Sequence, residues 1–152
     1  MGLDFRHEKG EPLGLVVYTG GTFDLFHAGH VRFLQQCSLI GDVVVALNTD
    51  EFIASYKGKP PVMTYEERKT VLEACKFVSA VVENEDGADS KPTIQEVMPD
   101  AIVIGSDWAR KDYHKQMGFT QDWLDSLGIW LVYVPYTQDI SSTIIKQRLT
   151  RG

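Results

Sequence analysis

The chain is expected to fold as a single α/β domain, one five-stranded parallel sheet with helices on both faces. Two observations lead there. Short, almost wholly apolar runs recur at Leu15–Tyr18, Val43–Leu47, Phe77–Val82, Ala101–Ile104 and Ile129–Val134. Runs without polar alternation suit parallel strands buried on both sides. Between them lie segments with helical periodicity or helix-cap signals, and strands that alternate with helices build one covered sheet. The length of 152 residues, with no internal repeat or low-complexity tract, suits one domain with a real core.

In chain order, residues 1–13 mix charge, glycine and proline and read as a loose lead-in, leaving residues 14–152 as the domain. After the first strand and a glycine turn, Val31, Phe33, Leu34, Cys37 and Leu39 can share one broad helical face. Gly41-Asp42 ends that helix, and the second strand ends at Asn48-Thr49-Asp50. The stretch from there to Lys59 is expected to be loop, closing in the basic run Lys57-Gly58-Lys59-Pro60-Pro61. Thr64 and Glu67 form a capping box that opens a helix running to about Ala74. Pro92 suits the first turn of a short helix over Thr93–Met98. A long polar loop is expected over 105–118, Thr120 caps a helix over Gln121–Leu127, and Ser141-Ser142-Thr143 opens the last helix.

The formal net charge of -6 argues against a broad nucleic-acid or anionic-membrane surface, so an anionic substrate must meet a local cluster of cations. No apolar run is long enough to span a membrane and the start lacks a signal-peptide core, so a cytoplasmic location is expected. Cys37 and Cys75 read as reduced core residues.

The chemistry concentrates in Gly20-Gly21-Thr22-Phe23-Asp24-Leu25-Phe26-His27-Ala28-Gly29-His30, where a strand turns into a helix. His27 and His30 lie one turn apart and can converge on one small target, which Gly29 allows close to the backbone. Unpaired N–H groups and the positive dipole end at a helix start make a phosphate the natural target. A lone histidine there is more often a cap, but the pair around a glycine exceeds what a cap needs. Asp24, His27 and His30 also have a spacing that could ligate zinc, yet no nearby cysteine or histidine completes a closed site, so no protein-held metal is expected.

Four segments each follow an expected strand and therefore share the carboxyl rim of the sheet, where ligands of such folds bind: 20–30, 48–59, 105–115 and 136–143. Histidines, lysines and helix N-termini on one rim fit transfer at phosphorus, where catalysis is mostly positioning and charge neutralisation. The expected reaction is in-line attack of an acceptor phosphate oxygen on the α-phosphorus of a nucleoside triphosphate, with pyrophosphate leaving. In it His27 and His30 stabilise the α-phosphoryl group, Lys57 or Lys59 assists from the facing loop, and the helix start at Ser141–Thr143 holds the β,γ-phosphates. Mg2+ is expected, bound mainly through substrate phosphates, with Asp24 as an aid.

The string Gly21-Thr22-Phe23-Asp24 followed by His27-Ala28-Gly29-His30 resembles the HxGH signature of the cytidylyltransferase-like nucleotidyltransferases. With Asn48-Thr49-Asp50-Glu51-Phe52, Tyr65-Glu66-Glu67-Arg68-Lys69, Ser106-Asp107-Trp108 and Ile140-Ser141-Ser142-Thr143, residues 15–149 resemble the bacterial glycerol-3-phosphate cytidylyltransferases. The resemblance implies a Rossmann-like nucleotidyltransferase fold and a homodimer that makes a CDP-linked product from CTP and a small phosphorylated alcohol. It implies nucleotide contacts at Gly21, Thr22, Phe23, Asp24, Gly29, Arg68, Asp107, Trp108, Thr137, Ile140, Ser141, Ser142 and Thr143.

Two departures bear on the acceptor. Tyr136-Thr137-Gln138-Asp139 stands where the family has Arg-Thr-Glu-Gly, and Ser106-Asp107 where it has paired acids. Arg110, Lys111 or Lys115 is expected to supply the charge missing at Tyr136. Two other functions stay open: ATP-dependent adenylyl transfer to a sugar phosphate or flavin mononucleotide, as in relatives of the same superfamily, and a nucleotide-binding sensor without turnover.

Overall fold

The computed structural model describes residues 14–85, 87–105, 113–135 and 140–151. Strands β1 (Val16–Gly21), β2 (Asp42–Asn48), β3 (Ala80–Asn84), β4 (Ala101–Gly105) and β5 (Trp130–Val134) form one sheet in the order β3-β2-β1-β4-β5, with every neighbouring pair parallel. The winding runs outward from β1 to β3 and then restarts on its other side with β4. The crossovers therefore diverge beyond the carboxyl ends of β1 and β4.

The helices are α1 (Ala28–Ser38), α2 (Asp50–Lys57), α3 (Tyr65–Ala74), α4 (Lys91–Val97), α5 (Tyr113–Met117), α6 (Gln121–Ser126) and α7 (Ser142–Thr150). Right-handed crossovers put α1 and α3 on one face of the sheet and, after the reversal, α4 and α6 on the other. The core accordingly has two layers. Val17, Val43, Val45 and Val103 pack with Leu34 and Cys37 of α1 and Leu72 of α3. Tyr18, Val44, Ala46 and Ile102 pack with Ile94 and Val97 of α4 and Leu124 of α6. Each of the valines, leucines and isoleucines among them contributes about 1.5–3 kcal/mol by leaving water.

Several local expectations are corrected. Residues 50–57 are helix α2, not loop: Thr49 caps it by accepting from Phe52 N, Asp50 and Glu51 suit its first turn, and Gly58 closes it at φ 79°. Lys57 is thus the last helical residue, and the loop starts only at the cap, Gly58. Leu39 does not share the buried face of α1. It is the C-cap residue, past the last helical turn, and is 82% exposed. β3 begins at Ala80, because a turn in which Val78 N donates to Cys75 O occupies the preceding residues. Within the expected 105–118 loop, residues 113–117 form the short helix α5. Cys37 is buried as expected, whereas Cys75, the C-cap residue of α3, is only half-buried, and neither forms a disulfide.

Candidate active site

The turn from β1 to α1 is unusual backbone: Phe23 and Leu25 hold φ of 53° and 49°, a region that costs a side-chain-bearing residue of order 1–3 kcal/mol. Asp24 between them ties the turn down. Its Oδ1 accepts from Met63 N at 2.9 Å and from Leu25 N at 3.1 Å, and its Oδ2 accepts from Val62 N at 2.8 Å. The carboxylate therefore fastens the turn to the segment that leads into α3.

His27 and His30 build a capping box out of imidazoles. Gly29 N donates to His27 Nδ1 at 3.0 Å, and His27 N donates to His30 Nδ1 at 3.1 Å. A ring nitrogen that accepts from an amide carries no proton, so the neutral form of each ring has its hydrogen on Nε2. The cap thus selects the tautomer that leaves two N–H donors on the far edges of the rings. The rings stack with centroids 3.8 Å apart, and Phe23 and Phe26 lie 5.2 and 5.4 Å from His30. Burial by these neighbours, and then repulsion from His27, takes the His30 pKa down to about 3, against a smaller upward pull from Asp24. Burial lowers His27 as well. In the free protein both are neutral donors near pH 7.

The start of α7 is joined to this turn from more than a hundred residues away. Ser142 Oγ donates to Asp24 O at 2.7 Å. A Cβ on Gly29 would stand 2.8 Å from His27 Cε1 and 3.0 Å from Ile140 Cγ2, so the absent side chain lets Ile140 close on the histidine turn. Ser141 caps α7 by accepting from Ile144 N at 3.1 Å. That bond leaves the first N–H groups of the helix, at Ser142 and exposed Thr143, without an intrahelical partner. Two helix N-termini and two imidazole donors thus share one end of the sheet, an arrangement that suits anionic oxygens.

A polar strip continues from Thr22 across the strand ends. Asn48 Nδ2 donates to Thr22 Oγ1 at 3.3 Å, and Asn84 Nδ2 donates to Asn48 Oδ1 at 2.9 Å. The Tyr56 hydroxyl lies 3.4 Å from Thr22 Oγ1, which brings the end of α2 to the glycine turn. Lys57 and Lys59 are exposed beside it, Lys57 Nζ standing 5.9 Å from the Tyr56 ring centre.

Arg68 sits differently from the sequence expectation of a nucleotide contact. It is 1% exposed, and its guanidinium donates to Met63 O (3.1 Å), Thr22 O (2.9 Å), Asn48 O (2.9 Å) and Asp50 Oδ1 (2.6 Å). With four of its five N–H groups engaged inside the protein, it staples the ends of β1 and β2 to the starts of α2 and α3. Lys115 is exposed on α5, which Met117 O joins to Ser90 at the start of α4 through Ser90 N (3.0 Å) and Oγ (2.6 Å). Ser106, Asp107, Trp108, Arg110, Lys111, Tyr136 and Thr137 lie outside the described residues. Among the described residues no cluster of three or more His, Cys, Asp or Glu could hold a metal ion, and no helix is long and apolar enough to cross a membrane.

Sequence reading did not single out Tyr56 or Asn84. The signal for Asn84 exists only in the register that sets it beside Asn48, and Tyr56 carries no motif.

A parallel α/β sheet with two helix starts and paired imidazole donors at its carboxyl edge defines a protein suited to binding phosphate groups. Residues 18–148 match the family model described as cytidylyltransferase-like, and the chain belongs to this family of nucleotidyltransferases. It is 37% identical over 134 residues to the glycerol-3-phosphate cytidylyltransferase of Bacillus subtilis (strain 168), covering 88% of this chain and 95% of the relative. It is 40% identical over 92 residues to an FAD synthase of Pyrococcus horikoshii, covering 60% of this chain and 62% of that one. A lipopolysaccharide core biosynthesis protein from Thermoplasma volcanium GSS1 superposes with a TM-score of 0.68 at 28% identity, over 82% of this chain and 98% of that one.

Proposed function

We propose that the protein transfers CMP from CTP to a small phosphorylated alcohol such as glycerol 3-phosphate. One observation carries the reading: the reciprocal His27–His30 cap presents two Nε2–H donors beside the start of α7. Near-complete alignment with glycerol-3-phosphate cytidylyltransferase supports CTP and glycerol 3-phosphate over the adenylyl-transfer alternative, whose FAD synthase relative aligns over 60% of the chain.

In the reaction an acceptor phosphate oxygen forms a bond to the α-phosphorus. The bond from that phosphorus to the bridging oxygen breaks in line with it, and its electron pair leaves on pyrophosphate. The His27 and His30 Nε2–H groups donate to the non-bridging α-phosphoryl oxygens, where charge gathers in the transition state, and the preset cap avoids reorganisation at that moment. The N–H groups of Ser142 and Thr143 hold the departing phosphates, and Lys57 and Lys59 neutralise charge from the facing side. Arg68 and Asp24 act as positioning residues that hold the turn. Both Asp24 oxygens already accept backbone N–H groups, so Asp24 would be at most an aid to a Mg2+ ion carried by the substrate, which would add positive charge at the phosphates. Arg110, Lys111 or Lys115 supplies the charge for the acceptor's phosphate in this reading. The working form in this reading is a cytoplasmic homodimer.

The test is pyrophosphate release from each of the four nucleoside triphosphates with glycerol 3-phosphate, heptose 1-phosphate or flavin mononucleotide. CTP with glycerol 3-phosphate is the expected pair. Turnover with ATP alone would transfer the assignment to the adenylyl alternative, and nucleotide binding without pyrophosphate from any pair would make the protein a sensor. His30→Ala should lower turnover about 10²-fold or more with CTP binding retained, and Lys57→Ala or Lys59→Ala should slow turnover more than it weakens binding.

A further inference from the structure

We propose that the phenol of Tyr18, which ends beside Gly20, hydrogen-bonds the middle hydroxyl of a glycerol 3-phosphate acceptor; this rests on the transferase reading above and names how its acceptor is chosen. Tyr18 is 0% exposed, in the layer between the sheet and α4, and its hydroxyl has no hydrogen-bond partner among the described residues. A buried phenol normally finds a partner, because leaving a hydroxyl dry costs about 1–3 kcal/mol. Phenylalanine would fill the same volume without that cost, so the hydroxyl calls for an explanation.

Its direction supplies one. Tyr18 and Gly20 are two apart on β1 and so share a face of the sheet. A Cβ on Gly20 would stand 3.7 Å from each of the Tyr18 hydroxyl oxygen, Tyr18 Cε1 and Ala46 O. The phenol therefore runs up the strand toward its carboxyl end and ends beside Gly20, where no side chain covers the backbone. A ligand oxygen resting over the Gly20 backbone meets no side chain of that residue, and it must come within about 3.0 Å of the phenol oxygen to hydrogen-bond it. Burial pushes the phenol far above its usual range, so it remains a donor at any working pH.

A second orphan lies on the same edge: Asn84 Oδ1 is buried and unpartnered, although the Asn84 amide nitrogen binds Asn48 Oδ1. An unmatched donor and an unmatched acceptor suit hydroxyl groups, which can both accept and donate. The location also suits the stereochemistry. α1, which opens with the histidine cap, covers the opposite face of the sheet, and in-line displacement brings the acceptor in from the side away from the leaving pyrophosphate.

The experiment compares glycerol 3-phosphate with 1,3-propanediol phosphate, which lacks the middle hydroxyl, at saturating CTP, in wild type, Tyr18→Phe and Gly20→Ala. Tyr18→Phe should raise the KM for glycerol 3-phosphate about 3- to 10-fold, leave the KM for CTP within about twofold, and shrink the preference over propanediol phosphate by the same factor. Its melting temperature should be unchanged or higher, since a dry hydroxyl is removed. Gly20→Ala, whose methyl would stand in ordinary contact with the phenol oxygen, should raise the acceptor KM about tenfold or more while the fold survives. Wild-type acceptor KM in both variants, or an equal loss with both acceptors, overturns the inference while the transferase reading stands. Absence of pyrophosphate release by wild type with any acceptor instead sinks the transferase reading and the inference with it.

Discussion

His30 should make the unliganded protein sensitive to mild acid, and the size of the effect can be worked out. Its ring stays neutral in the folded state down to about pH 3, while in the unfolded chain it takes up a proton near 6.5. Below pH 6.5 the unfolded state therefore binds more protons than the folded one, and stability falls as pH falls. The penalty is absent above that pH and grows until the folded ring is itself protonated. Between pH 7 and pH 5 the linkage relation gives about 2 kcal/mol for such a group, and partial exposure of the ring to solvent reduces this to roughly 1–2 kcal/mol. The comparison is His30→Gln, which can still accept from the His27 N–H as a capping-box residue but does not titrate. His27 is lowered in the same direction in both proteins and cancels in the difference. Denaturant unfolding at pH 7, 6 and 5 should show wild type losing about 1–2 kcal/mol more than the variant, or roughly 2–8 °C in melting temperature. Parallel pH profiles, or a wild type that gains stability in acid, would falsify the buried, neutral imidazole. Excess inorganic pyrophosphate should flatten the wild-type profile, because an anion at the cap favours the protonated ring.

Two further outcomes test other parts of the site. Arg68→Met should cost about 3 kcal/mol or more in denaturant unfolding, since it leaves Asp50 and the Thr22 and Asn48 carbonyls without their buried partner; a change under about 1 kcal/mol would remove its stapling role. Thiol labelling of native protein should modify Cys75 well before Cys37, whose thiol is buried and pushed up to about 12; fast labelling of Cys37 would contradict the packing of α1 on the sheet.

The strands were legible because burial on both faces leaves no polar residue in Val43-Val44-Val45-Ala46-Leu47, and the capping box at Thr64 and Glu67 marked α3 without any knowledge of the fold. Helix α2 was less legible. Its cap at Thr49 directly follows the strand, and the lysine, glycine and prolines after it outweighed eight residues of weak periodicity. The histidine pair stood out through its spacing, and the closeness of its two rings follows from helical geometry. Which ring nitrogens bear the protons does not follow from spacing, because two backbone amides decide it.

Arg68 makes the same division clear. Its charge and its place one turn into α3 suggested a ligand contact, but four acceptors gathered from segments up to 46 residues away hold it inside the protein. Local chemistry is written in the chain: apolar periodicity, caps, and the glycine that removes a side chain at position 29. What only the tertiary structure decided is which polar atoms meet and which remain unmatched, as the phenol of Tyr18 does. Those facts depend on strand order and register, which bring together residues that nothing in their own neighbourhoods connects.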